Sequence, residues 1–201
     1  MTQVRVALTF DAEHPDRPTA PGVLESIMET LDSRAVRATF FLQGRWVESY
    51  PQAAARIARS GHLVGNHSFY HARMPLLSDA GFVTDVKAAA RVIERVCGTD
   101  ARPWFRCPFG AGGDDPRTHE LLGSIGFRHV GWHVGVGDWK ISMSGPALAR
   151  DTVAGVLAHG DGAVVLLHTW PRSTSRALPA IIDGLSAAGA SFVCDQRDVG
   201  L

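Results

Sequence analysis

The sequence has little of what would mark it for several large classes of protein. Its three cysteines, Cys97, Cys107 and Cys194, are odd in number and widely spaced. That set cannot build the dense disulfide framework of a small secreted domain and suits reduced thiols. Charge of neither sign is in excess, because 20 basic and 20 acidic side chains leave a formal net charge of zero. No basic face for a phosphate backbone is implied, so nucleic acid is not an expected partner. No apolar run approaches the roughly 18–20 residues that span a bilayer, so no membrane segment is expected. The stretch from Met1 to Phe10 lacks the basic start, long apolar region and cleavage site of a secretory leader, and reads as a strand. The expectation is a cytoplasmic protein, or a secreted or cell-surface one if a leader has been trimmed. Repeats, low-complexity tracts and linkers are also lacking, and nothing reads out an oligomeric state.

What is present is an ordinary globular composition. With 201 residues, 45% hydrophobic and 20% charged, the chain suffices for one domain, 1–201, with a substantial core. Short apolar runs alternate with helix-like segments. Candidate strands are Val4–Phe10, Ala38–Leu42, His62–Gly65, Trp104–Arg106, His129–Trp132, Ala163–Leu167 and Phe192–Cys194. Candidate helices are Gly22–Ser33, Ala53–Ser60 after Pro51, Asp79–Cys97 between a Ser78 cap and a Gly98 stop, Pro116–Ile125, Pro146–His159 and Leu178–Ala188. The run Val164-Val165-Leu166-Leu167 is continuously apolar, as a parallel strand covered on both faces should be. The alternation predicts a mostly parallel sheet or barrel.

The most informative stretch is Gly61 to His71, which places His67 and His71 four residues apart. On a helical turn or in a tight loop, two such imidazoles can chelate one cation. A catalytic metal site wants a third protein ligand and an open position. The acidic cluster Asp11-Ala12-Glu13 can supply it, and alternation turns Asp11 and Glu13 the same way. One carboxylate would bind the cation and the other accept a proton from water whose pKa the metal has lowered. Asp11, His67, Arg106, Asp138 and His168 each fall at or just after the end of a candidate strand, the ends that build the active face of a parallel barrel. Arg106 can hold a catalytic carboxylate, and the Pro108-Phe109-Gly110 turn can aim a backbone N–H at an oxyanion. His168, held by Asp138, suits a general acid. Trp132, Trp139, Trp170 and Leu166 are candidates to wall a small apolar pocket, although Trp132 reads better as core. Cys107 reads as a packed thiol.

These pieces together resemble the NodB-type polysaccharide deacetylases, carbohydrate esterase family 4. Thr9-Phe10-Asp11 resembles the start of that family's Thr-Phe-Asp-Asp-Gly-Pro motif, and Ala38–Leu42 its second strand. Gly61–His71 is close to its Gly-His-Glu-Ile-Gly-Asn-His-Thr-x-x-His segment. Arg106–Gly110, Asp138-Trp139 and Leu166-Leu167-His168 are similar to its later elements. The resemblance implies a distorted (β/α) barrel with about seven strands and metal-dependent amide hydrolysis. It makes Asp11 the general base, His67 and His71 ligands of one divalent metal, most simply zinc, and Arg106 the group that orients Asp11. It gives the Phe109 N–H to the oxyanion hole, makes His168 the general acid tuned by Asp138, and puts Trp139 and Leu166 against the acyl methyl.

Two departures matter. The family's second aspartate is Ala12 here, and Glu13 is the natural substitute as third metal ligand. The first aspartate of the Asp-x-x-Asp-Trp element is Gly135, and the loop Asp11–Thr19 also differs. The expected activity is removal of an N-acyl group, acetyl first, from an amino sugar, saccharide or related small amide. Hydrolysis of another C–N bond, in a formamide or cyclic imide, is the alternative within enzymes. A degenerate, non-catalytic binding protein is the alternative outside them.

Overall fold

A computed structural model describes residues 4–14, 16, 20–195 and 197. Strands and helices alternate: β1 (Arg5–Ala12), α1 (Val23–Ser33), β2 (Thr39–Leu42), α2 (Gly44–Ser49), α3 (Pro51–Arg59), β3 (Leu63–Asn66), α4 (Asp79–Cys97), β4 (Trp104–Phe105), α5 (Pro116–Ser124), β5 (Arg128–His129), α6 (Gly145–His159), β6 (Ala163–His168), α7 (Arg172–Ala187) and β7 (Ser191–Val193). The strands form a seven-stranded sheet in the order β5-β4-β3-β2-β1-β6, with β7 pairing β1. The described pairings of β1 with β7, β3 with β4 and β4 with β5 are all parallel, as the apolar runs predict. The chain divides into two compact units, one of residues 1–10, 18–39 and 132–201, the other of residues 11–17 and 40–131.

In the first unit, α7 packs against α1 and α6, and Trp132 lies against the buried Ala7 and Val164, a core role. The sequence reading starts α7 too late, at Leu178. Pro179 lies inside the helix, where it removes a backbone hydrogen bond and clashes with the preceding turn, at a cost of about 3 kcal/mol. Burial of Thr174, Ala177, Leu178, Ile181, Ile182 and Leu185 along one stripe outweighs that penalty.

In the second unit, α2 and α3 pack on α4. Ser78 caps α4 by accepting from the Gly81 N–H, and Gly98 ends it in the left-handed conformation (φ 67°), as the sequence predicts. Helix α2 is absent from the sequence reading, because six residues are too few to show a helical period. Phe41, Trp104 and Val130 form a buried cluster with Leu63 packed against it. The candidate strand His129–Trp132 shrinks to Arg128–His129, and the chain continues irregularly from Val130.

His129 gives this unit a pH dependence. Burial, then the nearby Arg106 and His119 charges, push its imidazole down to about 4. The folded protein therefore keeps His129 neutral where the unfolded chain protonates it. This stability is present above the unfolded value near 6.5 and is lost as pH falls through that value towards 4. The loss is about 2 kcal/mol at pH 5. The His129 Nδ1 atom accepts from the Cys107 N–H at 3.4 Å, and an Asn oxygen can take over that acceptor. Melting temperatures of wild type and His129→Asn at pH 7 and pH 5 check this. The variant is expected to lose less on acidification.

Candidate metal centre and acid dyad

Strand β1 delivers Asp11 as its penultimate residue, and Glu13 follows one residue beyond its end. Alternation sets both on one side of the extended chain and Ala12, fully buried, on the other. Strand β3 ends at Asn66, and the next turn carries His67 and His71. The two histidines converge from a tight loop, not from a helix. Ser68 and His71 both take left-handed backbone angles (φ 66° and 59°). That conformation is uncommon outside glycine and is fixed here by a set of hydrogen bonds. Asn66 Oδ1 accepts from the Ser68 N–H at 2.9 Å, and Ser68 Oγ accepts from the His71 N–H at 3.1 Å. The buried Asp85 on α4 accepts from the Phe69 and Tyr70 N–H groups at 2.9 and 3.0 Å. The start of α2 completes the clamp, where Gly44 and Arg45 donate to the Ser68 and Phe69 carbonyls. A Cβ on Gly44 would lie 2.3 Å from the Phe69 ring, so only glycine fits there.

The outcome is a convergence of Glu13, His67 and His71, each offering one ligand atom within 4.8 Å of the others. His67 Nε2 lies 3.3 Å from Glu13 Oε2 and 3.5 Å from Asp11 Oδ2. His67 Nδ1 lies 2.9 Å from the Arg106 carbonyl, so it carries the hydrogen and leaves the Nε2 lone pair facing two carboxylates. Facing anionic oxygens, that nitrogen needs a positive charge beside it, a bound proton or a cation. His71 Nε2 is buried and has no hydrogen bond in acceptable geometry, yet the Glu13 carboxylate lies against it. A divalent cation satisfies both conditions, and the backbone carbonyl behind His67 is the usual partner of a metal-binding imidazole. Burial acts to raise the Glu13 carboxyl, but the close His14, His67 and His71 imidazoles override it and hold the group below the usual carboxylate range. Burial acts to lower the His67 imidazole, but the Asp11 charge and the Glu13 contact hold it above its usual value. His71 stays below its usual value because burial prevails.

Arg106 is fully buried behind Asp11. It donates to Asp11 Oδ1 at 2.9 Å, to the Val130 and Gly131 carbonyls at 3.2 and 3.1 Å, and lies 4.2 Å over the Phe41 ring. Phe109 has a left-handed backbone (φ 59°), and its ring packs edge-on against His71 at 4.5 Å, beneath the Arg73 guanidinium. Cys107 is buried and its thiol is pushed up to about 12, chiefly by burial, which makes it a packed, inert thiol.

In the other unit, His168 ends β6. Its Nδ1 donates to Asp138 Oδ1 at 2.8 Å. Asp138 Oδ2 also accepts from the His168 backbone N–H at 2.7 Å and from the Thr174 hydroxyl at 2.6 Å. Asp138 does not follow a strand as expected. It lies in a loop whose bridge, Val134 with Val165, aligns it with β6. Trp139 is half exposed, with its ring edge-on to His168 at 5.3 Å. Leu166 is buried within β6. A cavity beside Asp138 is walled by Trp139 and Trp170, not by Leu166 or Trp132. A Cβ on Gly135 would lie 2.9 Å from the Trp132 indole nitrogen, so the Trp132 ring takes the space of any side chain there.

Sequence reading missed four positioning groups: Asn66, Asp85, Thr174 and His14. Asp85 and Thr174 are ordinary polar residues whose targets lie far along the chain, and Asn66 acts on the Ser68 N–H two residues on. His14 had a visible signal, its place beside Glu13. Its Nε2 lies 2.8 Å from Glu13 Oε1, its N–H donates to Gln43 Oε1 at 3.0 Å, and its backbone is left-handed (φ 62°). Asp16 pairs instead with Arg45. Of the loop Asp11–Thr19, residues 15 and 17–19 lie outside the described residues. Replacing His14 by Asn keeps a residue that tolerates this backbone but is too short to reach Glu13. Metal affinity is expected to fall by about tenfold, the effect of losing a group that orients a ligand, as read by competition with a chelating dye.

The comparisons with known proteins agree with this geometry. Residues 1–130 match the polysaccharide deacetylase family, and the chain belongs to that family, within the NodB-type enzymes of carbohydrate esterase family 4. A peptidoglycan-N-acetylglucosamine deacetylase of Bacillus cereus is 30% identical over 199 residues, covering 95% of this chain and 66% of that protein. A chitooligosaccharide deacetylase of Azorhizobium caulinodans is 29% identical, covering 83% of this chain and 74% of that one. A family 4 pseudoenzyme from Bacillus anthracis superposes with a TM-score of 0.86 at 27% identity, over 98% of this chain and 66% of that one. The chain thus spans about two thirds of each of these two Bacillus proteins. The fold is the distorted (β/α) barrel of the family, as expected.

Proposed function

We propose that the protein hydrolyses the N-acetyl group of an amino sugar carried in a saccharide. The observation that supports this most is the convergence of Glu13, His67 and His71 within 4.8 Å, beside a carboxylate, Asp11, that a buried arginine holds in place. When bound there, a divalent metal, zinc by the nitrogen and oxygen donor set, would supply Lewis-acid polarisation and lower the pKa of water. Asp11 takes the proton of the attacking water. Arg106 holds that carboxylate in place. The Phe109 backbone N–H donates to the oxygen that gains charge. His168 protonates the departing amine through Nε2, because Nδ1 is committed to Asp138. Trp139 and Leu166 border the acyl group.

The activity names of the Bacillus cereus and Azorhizobium relatives support an N-acetylglucosamine unit as the substrate class. Metal-loaded protein assayed against N-acetylglucosamine oligomers of increasing length tests the reading. Acetate release with kcat/KM levelling off at short chains is expected. No release from any N-acetyl sugar would overturn it. A second reading, a binding protein without turnover, draws support from the likeness to a pseudoenzyme and from Ala12. Stoichiometric metal together with acetate release excludes it.

A further inference from the structure

Loop residues 138–146 and the first turn of α7 enclose a cavity of about 480 Å³. Its walls include Trp139, Trp170, Pro146 and Pro171, and its rim carries Lys140, Arg172 and Arg176. Among the described residues, none of these three cations makes an ion pair. Arg172 and Arg176 are one helical turn apart on α7 and so share a face. The absence of a side chain on Gly145 lets α6 approach the Arg176 stem, where a Cβ would lie 2.9 Å from it. Asp138 is the sole acidic residue among the lining groups. It is buried, and its carboxylate is already engaged by His168 and Thr174. The N-termini of α6 and α7 face the same wall and add partial positive charge of the same sign. In a chain of zero net charge, this cavity is therefore a local concentration of uncompensated cations around an exposed aromatic ring.

We propose that this cavity is a subsite for an anionic saccharide, in which a sugar ring stacks on Trp139 and a carboxylate on that sugar or its neighbour is held by Arg172, Arg176 and Lys140. The guanidinium fork matches a carboxylate in two-point geometry, and a desolvating aromatic wall strengthens that pairing. The inference rests on the amino-sugar reading above, since Asp138 belongs both to the acid dyad and to the cavity wall. The subsite distinguishes charged from neutral saccharides and leaves the chemistry of acyl transfer to the residues already described.

Three N-acetylated amino-sugar oligomers of equal length make the test. One is neutral, one carries a lactyl carboxylate on alternate sugars, and one carries the methyl ester of that lactyl group, which keeps the bulk and removes the charge. Binding to metal-free protein is read by calorimetry, and kcat/KM on metal-loaded protein. Wild type is expected to prefer the carboxylate form over both others by at least about tenfold, the scale of one charge-assisted contact. The Arg172→Ala/Arg176→Ala double variant is expected to lose that ratio, and Lys140→Met to reduce it. Equal binding of the charged and esterified oligomers by wild type overturns the subsite, as does a ratio unchanged in both variants. Charge-dependent binding without any acetate release supports the subsite and defeats the deacetylase reading, so the two failures are separate.

Discussion

Converting His67 or His71 to Ala is expected to weaken divalent-metal binding by at least about 100-fold, and Glu13→Ala by about 10-fold or more. The two imidazoles and the Glu13 carboxylate converge within 4.8 Å, with His67 locked through Nδ1 to the Arg106 carbonyl. That lock presets the direction of Nε2, so wild-type protein loses little entropy when a cation enters. Removing an imidazole deletes a donor and leaves the Glu13 charge buried with fewer partners. The readout does not depend on turnover. Zinc at a hundredfold excess over its dissociation constant should stabilise wild type by about 2.7 kcal/mol and raise its melting temperature, and the rise should vanish in His67→Ala. Full metal occupancy in Glu13→Ala would remove Glu13 from the ligand set and leave His14 as the neighbouring candidate.

The second large effect separates the proton-handling groups from the metal. Asp11→Asn keeps the shape and one acceptor oxygen for Arg106, but cannot take a proton. Turnover is expected to fall by about 10²–10⁴-fold with metal content unchanged. His168→Ala should fall on the same scale. Asp138→Asn should fall less, because its remaining oxygen still accepts from one of the three donors that now reach the carboxylate. Asp11→Ala is the useful contrast. It strands a fully buried guanidinium with two carbonyls and the Phe41 ring, and breaking such a pair costs about 3–5 kcal/mol. Asp11→Ala should therefore lose both activity and stability, whereas Asp11→Asn should lose mainly activity. Near-normal turnover of metal-loaded Asp11→Asn would move the base to another residue, Glu13 first.

Several features were legible from sequence because their causes are local. Seven strands appear close to where apolar runs place them, since a covered parallel strand needs such a run. Helix α4 has its predicted ends, since Ser78 and Gly98 act on their own turns. The pairing of Glu13 with His67 and His71 was reachable because alternation along an extended chain and a four-residue histidine spacing are one-dimensional facts. The family motifs extended that reading to Arg106, Asp138 and His168.

Other features depended on the tertiary structure, because their causes lie between distant parts of the chain. The burial stripe of α7 carries the helix through Pro179, against the local propensity of that residue. Asp85 holds the Phe69 and Tyr70 amides, and with them the His71 turn, from a position on α4 that has no mark of function in sequence. Thr174 reaches Asp138, 36 residues away, with nothing in its spacing to announce the contact. Gly135 departs from the family pattern in sequence, and the folded chain shows that the Trp132 ring fills the place of a side chain there. The sequence by itself determined which groups could carry the chemistry, because residue type and strand periodicity are properties of the chain. Only folding decided how they are aimed, because a hydrogen bond is set by atoms within about 3 Å in space and not by separation along the chain.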